Sequence, residues 1–236
     1  MDSVTTRRNS PEVVGAIARL PLGRTSAFLV RGAAPILVDA GMPGQHAALL
    51  RRLRRLGLDR ADIALVVVTH AHVDHTGGLP WVRLAARAPI VCHRETAAAL
   101  RQGQSAALQP RTRLGLALVP LLRHGPRPPC VEPDLAIDHE ISLEPYGAAG
   151  FLLPTPGHTR GCLSLQVGQD AIVGDLLMRR FGRHRPAVPF FLEDRVGWQD
   201  SVRLLLSRGV ERFHTTHGGC FDAESVAALL HDAAAR

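Results

Sequence analysis

Short apolar runs alternate with amphipathic stretches along this chain, and the two patterns predict different elements. Apolar runs bounded by Gly, Pro or Asp indicate buried strands, whereas apolar residues spaced three or four apart indicate helices. The strands are predicted at residues 26–30, 35–39, 65–68, 89–92, 135–141, 151–153, 163–167, 171–174 and 212–215. The helices are predicted at residues 44–58, 80–88, 95–102, 114–122, 194–207 and 223–235.

This order of elements indicates an α/β or α+β fold, because strands followed by helices occur in both halves. The chain has 236 residues, 46% of them hydrophobic, and no linker interrupts it, so we predict a single domain over residues 1–236. The pattern of strands and helices is hardest to assign at residues 94–130. This segment contains an apolar helix flanked by arginines and followed by a proline-rich run. We interpret it as a lid or substrate wall, with an ordinary packed helix pair as the alternative.

A dense group of ligand-type side chains follows the predicted strand at residues 65–68. His70, His72, Asp74 and His75 lie within six residues, directly after four buried apolar positions. Imidazole nitrogens and carboxylates are preferred ligands of borderline divalent ions such as zinc, and packing alone gives no reason for three imidazoles in one turn. The segment therefore predicts a metal site at a strand end.

A turn after a strand can direct His70 and His72 at one ion while Asp74 and His75 face another. Two ions need more ligands than one segment supplies, and three later strand ends carry candidates. His158 follows a Thr-Pro-Gly turn, Asp175 follows a glycine after an apolar run, and His217 precedes two glycines. Glycine lets the backbone come close to a bound ion.

Together these motifs resemble the metallo-β-lactamase-fold superfamily, whose pattern is H-x-H-x-D-H, then His after T-P-G, then Gly-Asp, then His-Gly. The resemblance covers nearly the whole chain and implies a four-layer αββα sandwich. It implies that His70, His72 and His158 hold a first metal ion, that Asp74, His75 and His217 hold a second, and that Asp175 bridges them. The early strand-end motif that contains Asp39 also matches and is expected to support the metal loop.

The function implied by the resemblance is hydrolysis of an ester-like bond, in a lactone, thioester or similar small substrate, by a bridging hydroxide on two divalent ions. We expect zinc, with iron or manganese as alternatives, and Asp74 is the candidate catalytic residue. The β-lactam-hydrolysing branches lack either the histidine at position 75 or the aspartate at position 175, so antibiotic hydrolysis is disfavoured. A phosphodiesterase acting on nucleic acid is a weaker alternative.

A second alternative is a persulfide dioxygenase, because residues 155–162 and 174–177 also resemble that family. There His70, His158 and Asp175 would hold one iron ion. The family continues into a Gly-Arg-Thr-Asp-Phe run, whereas this chain has Gly-Arg-His-Arg-Pro at residues 182–186.

Composition and charge limit the classes of substrate and partner that the sequence favours, and its apolar pattern bears on the cellular location. The net charge of +7 comes from 28 basic residues, all arginine, but they are spread through helical patterns and only 4% of residues are aromatic. We therefore expect a small-molecule substrate and no nucleic acid. No long apolar window or signal peptide is visible, so we expect no membrane partner and a cytoplasmic location, while a homodimer stays open. The four cysteines are expected to be reduced thiols.

A basic rim formed by His184 with Arg179, Arg180, Arg183 and Arg185 would suit an anionic substrate, although an ordinary solvated loop is the favoured interpretation of this segment.

Overall fold

The strands of the first half of the chain form one mixed sheet. The computed structural model describes residues 12–14, 16–85, 88–179 and 184–234. The first sheet contains, in spatial order, β1 (Glu12–Val14), β2 (Ile17–Leu22), β3 (Thr25–Val30), β4 (Ile36–Val38), β5 (Leu65–Val67), β6 (Ile90–His93) and β7 (Leu135–Ile137). Strands β1 to β4 pair antiparallel, and β4 to β7 pair parallel.

The strands of the second half form a six-stranded sheet and a separate two-stranded ribbon. They are β8 (Ile141–Ser142), β9 (Phe151–Pro154), β10 (Leu163–Val167), β11 (Asp170–Ile172), β12 (Met178–Arg179), β13 (Pro186–Ala187), β14 (Arg212–Thr215) and β15 (Gly219–Asp222). The six-stranded sheet has the order β15-β14-β11-β10-β9-β8, and only β11 and β14 pair parallel within it. Strands β12 and β13 form the ribbon.

The described residues form seven α-helices. They are α1 (His46–Arg55), α2 (Val73–Thr76), α3 (Leu79–Ala85), α4 (Arg94–Arg101), α5 (Arg113–Arg123), α6 (Arg195–Ser207) and α7 (Ala223–Ala234). None of the helices in the described ranges is both long and apolar enough to cross a bilayer.

Three hydrophobic cores separate the layers, and alternation along the strands assigns each residue to one core. In β5, Val66 packs with α1, α3 and α4, whereas Val67 points into the core between the two sheets. Trp198 on α6 belongs to the third core, on the outer face of the second sheet. Because side chains of a strand alternate between faces, each central strand contributes to two cores. The predicted αββα sandwich is confirmed.

Among the strands, the sequence prediction differs from the structure in four places. Strands β1 and β2 extend the first sheet before the first predicted strand, and β15 follows the last predicted one. The predicted strand at residues 135–141 is wrong as one element, because β7 and β8 belong to different sheets. The ribbon of β12 and β13 was not predicted. The predicted helix at residues 80–88 is α3, and residues 86 and 87 lie outside the described ranges.

The parallel strands place the ligand-type side chains at one edge of the sandwich. Strands β4 and β5 run in the same direction, and so do β11 and β14, so their carboxyl ends meet at common edges. The segments that follow β4, β5, β11 and β14 carry Asp39, His70, Asp175 and His217. The turn after β9 adds His158, and these five segments form the candidate site.

Candidate metal centre

Three imidazole nitrogens converge in a first cluster. His70 Nε2 lies 2.9 Å from His72 Nδ1, and His158 Nε2 lies 3.1 Å from the same Nδ1. One carboxylate oxygen of Asp175 lies 4.0 Å from His70 Nε2 and 3.7 Å from His158 Nε2. All four residues are buried, and their four donor atoms fall within 4.8 Å of one another.

A second cluster contains Asp74, His75 and His217. His217 Nε2 lies 3.0 Å from Asp74 Oδ2, and His75 Nε2 lies 3.8 Å from the same oxygen. The side chains of Asp74 and His217 are 25% and 24% exposed, whereas His75 is fully enclosed. The open side of the centre is therefore at the second cluster.

Asp175 lies between the two clusters. Its Oδ2 is 3.4 Å from His217 Nε2, in addition to its approach to His70 and His158, and its Oδ1 is 3.5 Å from His75 Nε2. The structure thus brings together all seven residues predicted as metal ligands. Their roles as ligands remain a prediction.

The outer ring nitrogens of three histidines are fixed by oxygen acceptors. His75 Nδ1 contacts Asp39 Oδ2 at 2.7 Å. His158 Nδ1 contacts the Phe191 carbonyl at 2.7 Å, and His217 Nδ1 contacts the Arg24 carbonyl at 3.0 Å. Carbonyl and carboxylate oxygens only accept, so these contacts place a proton on Nδ1 and leave Nε2 directed into the centre.

Asp39 and Thr69 hold the loop that carries the first four ligands. Asp39 accepts hydrogen bonds from the Thr69 backbone N–H and hydroxyl, both at 2.8 Å. The Thr69 hydroxyl also lies 3.1 Å from Nδ1 of both His70 and His75. Asp39 adopts φ of 62°, a left-handed conformation that aspartate tolerates better than most residues. Asp39 therefore supports the metal loop, as expected, and also contacts the candidate ligand His75 directly.

Two glycines are required by close packing around the ligands. A Cβ on Gly174 would lie 2.9 Å from the Thr69 hydroxyl, and its φ is +53°. A Cβ on Gly157 would lie 2.6 Å from the Trp198 Cα, and its φ is +149°. These contacts explain the glycines just before Asp175 and His158.

The pKa directions differ between the two clusters. Burial lowers the pKa of His72 to about 3, and burial also lowers the pKa values of His70 and His158. The imidazoles of the first cluster are therefore neutral, as metal ligation requires. Burial opposes the charged form of His75 and His217, but neighbouring carboxylates raise the pKa of both, with Asp39 acting most strongly on His75 and Asp175 on His217.

The donor set fits divalent metal ions. Burial raises the pKa of Asp74 and Asp175, but the neighbouring imidazoles outweigh it and lower both values, so two carboxylates are ionised where a cation compensates them. Oδ1 of Asp175 and Nε2 of His75 face each other, buried and without a hydrogen-bond partner. Ligands held tetrahedrally at roughly 2.0–2.1 Å from zinc are about 3.3 Å apart, which is close to the spacings observed.

Cys162, His214 and His184 are not among the donors of the two clusters. Cys162 Sγ accepts from the Thr159 backbone N–H at 3.3 Å, and burial raises the pKa of its thiol to about 12. His214 donates to Asp170 at 2.7 Å. His184 packs on the Phe221 ring. Of the predicted basic rim, Arg180 and Arg183 lie outside the described residues.

The segment at residues 94–130 reaches the loop that holds His158. The Leu192 N–H donates to the Gln109 carbonyl, and the Arg111 N–H donates to the Phe190 carbonyl. The Ala106 N–H contacts the Ala71 carbonyl at 3.3 Å. These contacts put residues 106–111 beside the centre, and their role as a substrate wall stays a prediction.

Comparisons with known proteins show the family of this chain. The profile of the metallo-beta-lactamase superfamily matches residues 20–217. A probable metallo-hydrolase of Methanocaldococcus jannaschii is 27% identical over 198 residues, covering 82% of this chain and 87% of that protein. Metallo-beta-lactamase domain-containing protein 1 of Rattus norvegicus is 44% identical over 77 residues, which are 33% of this chain and 28% of that protein. The chain belongs to the metallo-beta-lactamase superfamily.

Solved structures show the same fold. Rm3 metallo-beta-lactamase superposes with a TM-score of 0.69 at 20% identity, covering 96% of this chain and 93% of that one. A metallo-beta-lactamase superfamily protein of Sulfolobus tokodaii gives a TM-score of 0.65 at 19% identity, covering 93% and 86%. At these identities the similarity establishes the fold and not the substrate.

Proposed function

We propose that this protein is a hydrolase that uses two divalent metal ions, preferably zinc, to cleave an ester-like bond in a small substrate. The observation that carries the proposal is the position of Asp175 between the two groups of donors. Its Oδ2 approaches His158 of the first cluster and His217 of the second, and its Oδ1 faces His75 of the second. A single ion would leave one of these groups, either three neutral imidazoles or a carboxylate with two imidazoles, without a role.

Each of the two clusters would bind one metal ion. His70, His72 and His158 would hold the first ion with neutral nitrogens. His75 and His217 would hold the second together with Asp74, and Asp175 would contact both ions. When bound, such a pair lowers the pKa of a water molecule toward neutrality and polarises a carbonyl or phosphoryl oxygen.

Asp74 is the candidate for proton transfer. It is the more exposed of the two carboxylates, so it is the one that a substrate entering from the open side would meet. The fixed contact with His217 orients one of its oxygens and leaves the other available to hold a proton on its way to a leaving group.

The choice of substrate follows from chemistry that the site supports. Lactones and thioesters expose a carbonyl that a binuclear centre can polarise, and phosphodiesters are the alternative. Both aspartate 175 and histidine 75 are present in the cluster, which keeps β-lactam hydrolysis disfavoured despite the shared fold with β-lactamases. The persulfide dioxygenase alternative needs only His70, His158 and Asp175, and it leaves the second cluster unexplained.

The test is a hydrolysis panel run on zinc-loaded protein, with lactones, thioesters and phosphodiesters as substrates. Asp74→Ala is expected to lower kcat for any hydrolysed substrate by at least about a hundredfold while the protein stays folded. Asp200→Ala is the matched control, because Asp200 is an exposed aspartate paired with Arg203 on α6. Full activity in a folded Asp74→Ala protein would remove Asp74 from the mechanism, and no hydrolysis across the panel would contradict the proposed class.

A further inference from the structure

Helix α5 is apolar on every side, yet it is largely exposed. Residues 114–122 are Leu-Gly-Leu-Ala-Leu-Val-Pro-Leu-Leu and contain no polar side chain. Only Gly115 and Val119 are buried, whereas Leu116 is 64% and Leu121 is 70% exposed. A helix that is apolar all round is normally enclosed by its own protein or by another apolar phase. We therefore expect another molecule or surface to cover the exposed face of α5.

The undescribed parts of the chain are poor candidates for covering this face. Residues 1–11 are mostly polar, with Met1 and Val4 as the sole large apolar residues, and residues 180–183 are Arg-Phe-Gly-Arg. Residues 86–87 and 235–236 are each Ala-Arg. These segments contain too few large apolar side chains to cover the four exposed leucines of α5, which are Leu114, Leu116, Leu121 and Leu122.

The charge around α5 favours an anionic occupant. The helix begins at Arg113 and ends at Arg123, and no aspartate or glutamate occurs from residue 96 to residue 131. Neither arginine has an ion-pair partner among the described residues. Glu193 lies on the loop that contacts this segment, but its carboxylate accepts from the Arg160 N–H. The apolar strip suits the acyl chains of a phospholipid surface, and the cations at its two ends suit the anionic headgroups above those chains.

A second copy of the chain matches this surface less well. Two α5 helices paired antiparallel about a twofold axis would bring Arg113 of one copy beside Arg123 of the other. Like charges at that distance repel, and the acid-free segment offers nothing to compensate them.

We propose that α5 attaches the protein reversibly to an anionic phospholipid surface, with the exposed leucines in the acyl region and Arg113 and Arg123 at the headgroups. This proposal departs from the sequence expectation of no membrane partner, which rested on the absence of a long apolar window; surface attachment does not need one. The proposal stands on α5 alone and does not depend on the proposed hydrolase activity.

The test is co-sedimentation of the purified full-length protein with vesicles. Binding is expected to vesicles that mix phosphatidylcholine with phosphatidylglycerol and not to vesicles of phosphatidylcholine alone, and added salt should weaken it. The double variant Leu116→Ser/Leu121→Ser should lower the partition coefficient by about tenfold or more.

The matched control is Leu84→Ser/Val196→Ser, because Leu84 and Val196 are 89% and 65% exposed but lie on other helices. This control should bind like the wild type, and far-UV circular dichroism should show both double variants folded. If the α5 leucine variant does not fold, Arg113→Gln/Arg123→Gln replaces it and should also lower binding. Three results would overturn the proposal: no binding to anionic vesicles, equal loss in variant and control, or a dimer in light scattering that the α5 variant converts to monomer.

Discussion

Replacing Asp39 with asparagine removes a negative charge beside His75 while keeping an oxygen that can accept from the Thr69 N–H. In the structure the Asp39 carboxylate contacts His75 Nδ1 at 2.7 Å and thereby directs Nε2 into the second cluster. The amide of asparagine can offer Thr69 its oxygen, but its NH₂ then faces Nδ1 of His75, donor against donor. Loss of such an outer contact typically lowers metal affinity by about 10–100-fold, or about 1.4–2.7 kcal/mol.

Asp39→Ala adds a cost in folding stability that Asp39→Asn avoids. Alanine at a φ of 62° costs about 1–2 kcal/mol, whereas asparagine tolerates this conformation. The Thr69 N–H would also remain buried without an acceptor, which costs about 1–3 kcal/mol. The free energy of unfolding should therefore fall by about 2–5 kcal/mol in the alanine variant.

The assay is zinc retention against increasing chelator, combined with urea unfolding of the same samples. Asp39→Asn should lose one of its metal ions at a roughly 10–100-fold lower chelator concentration, with a smaller change in unfolding than Asp39→Ala. Asp134→Asn is the control, since Asp134 also accepts from a backbone N–H, that of Ile90, but far from the centre. The reasoning is refuted if Asp39→Asn retains zinc as the wild type does, or if the Asp134 variant loses it equally.

Two further substitutions test a packing contact and an ion pair of the second sheet. Gly157→Ala should destabilise the protein by about 3 kcal/mol and weaken metal binding, because its Cβ would strike the Trp198 backbone beside His158; an unchanged Tm would contradict this. Asp170 is ion-paired to Arg212, and although burial raises its pKa, its partners lower it overall. The stabilisation by this ion pair is thus present above pH about 4 and lost as pH falls through the lowered pKa of Asp170. In protein freed of metal by a chelator, Asp170→Asn should therefore lower the free energy of unfolding by about 1–2 kcal/mol at pH 7 and by less at pH 3. An equal loss at both pH values would argue against the ion pair.

The grouping of the seven candidate ligands was predictable because each residue lies in a local motif. His70 to His75 follow an apolar run directly, and His158, Asp175 and His217 each adjoin glycine, so short stretches of sequence contained the signal. The layer order came from the resemblance, and the alternation of Val66 and Val67 between two cores explains it physically.

The contacts that orient the ligands were not predictable from the sequence. The carbonyls of Arg24 and Phe191 carry no side-chain signal, and they reach His217 and His158 across 193 and 33 residues. Strand β2 was missed because its proline and arginine interrupt the apolar pattern, although most of its residues are buried. The exposure of α5 was not predictable either, because an apolar helical segment in a sequence predicts a buried helix.

The most direct test of the account is the number of metal ions per chain in freshly purified protein, measured by elemental analysis before any chelator is added. The account predicts about two divalent ions, and about one after His75→Ala, because that change removes a donor from the second cluster only. About one iron ion per wild-type chain, unchanged by His75→Ala, would contradict the binuclear hydrolase and favour the dioxygenase instead.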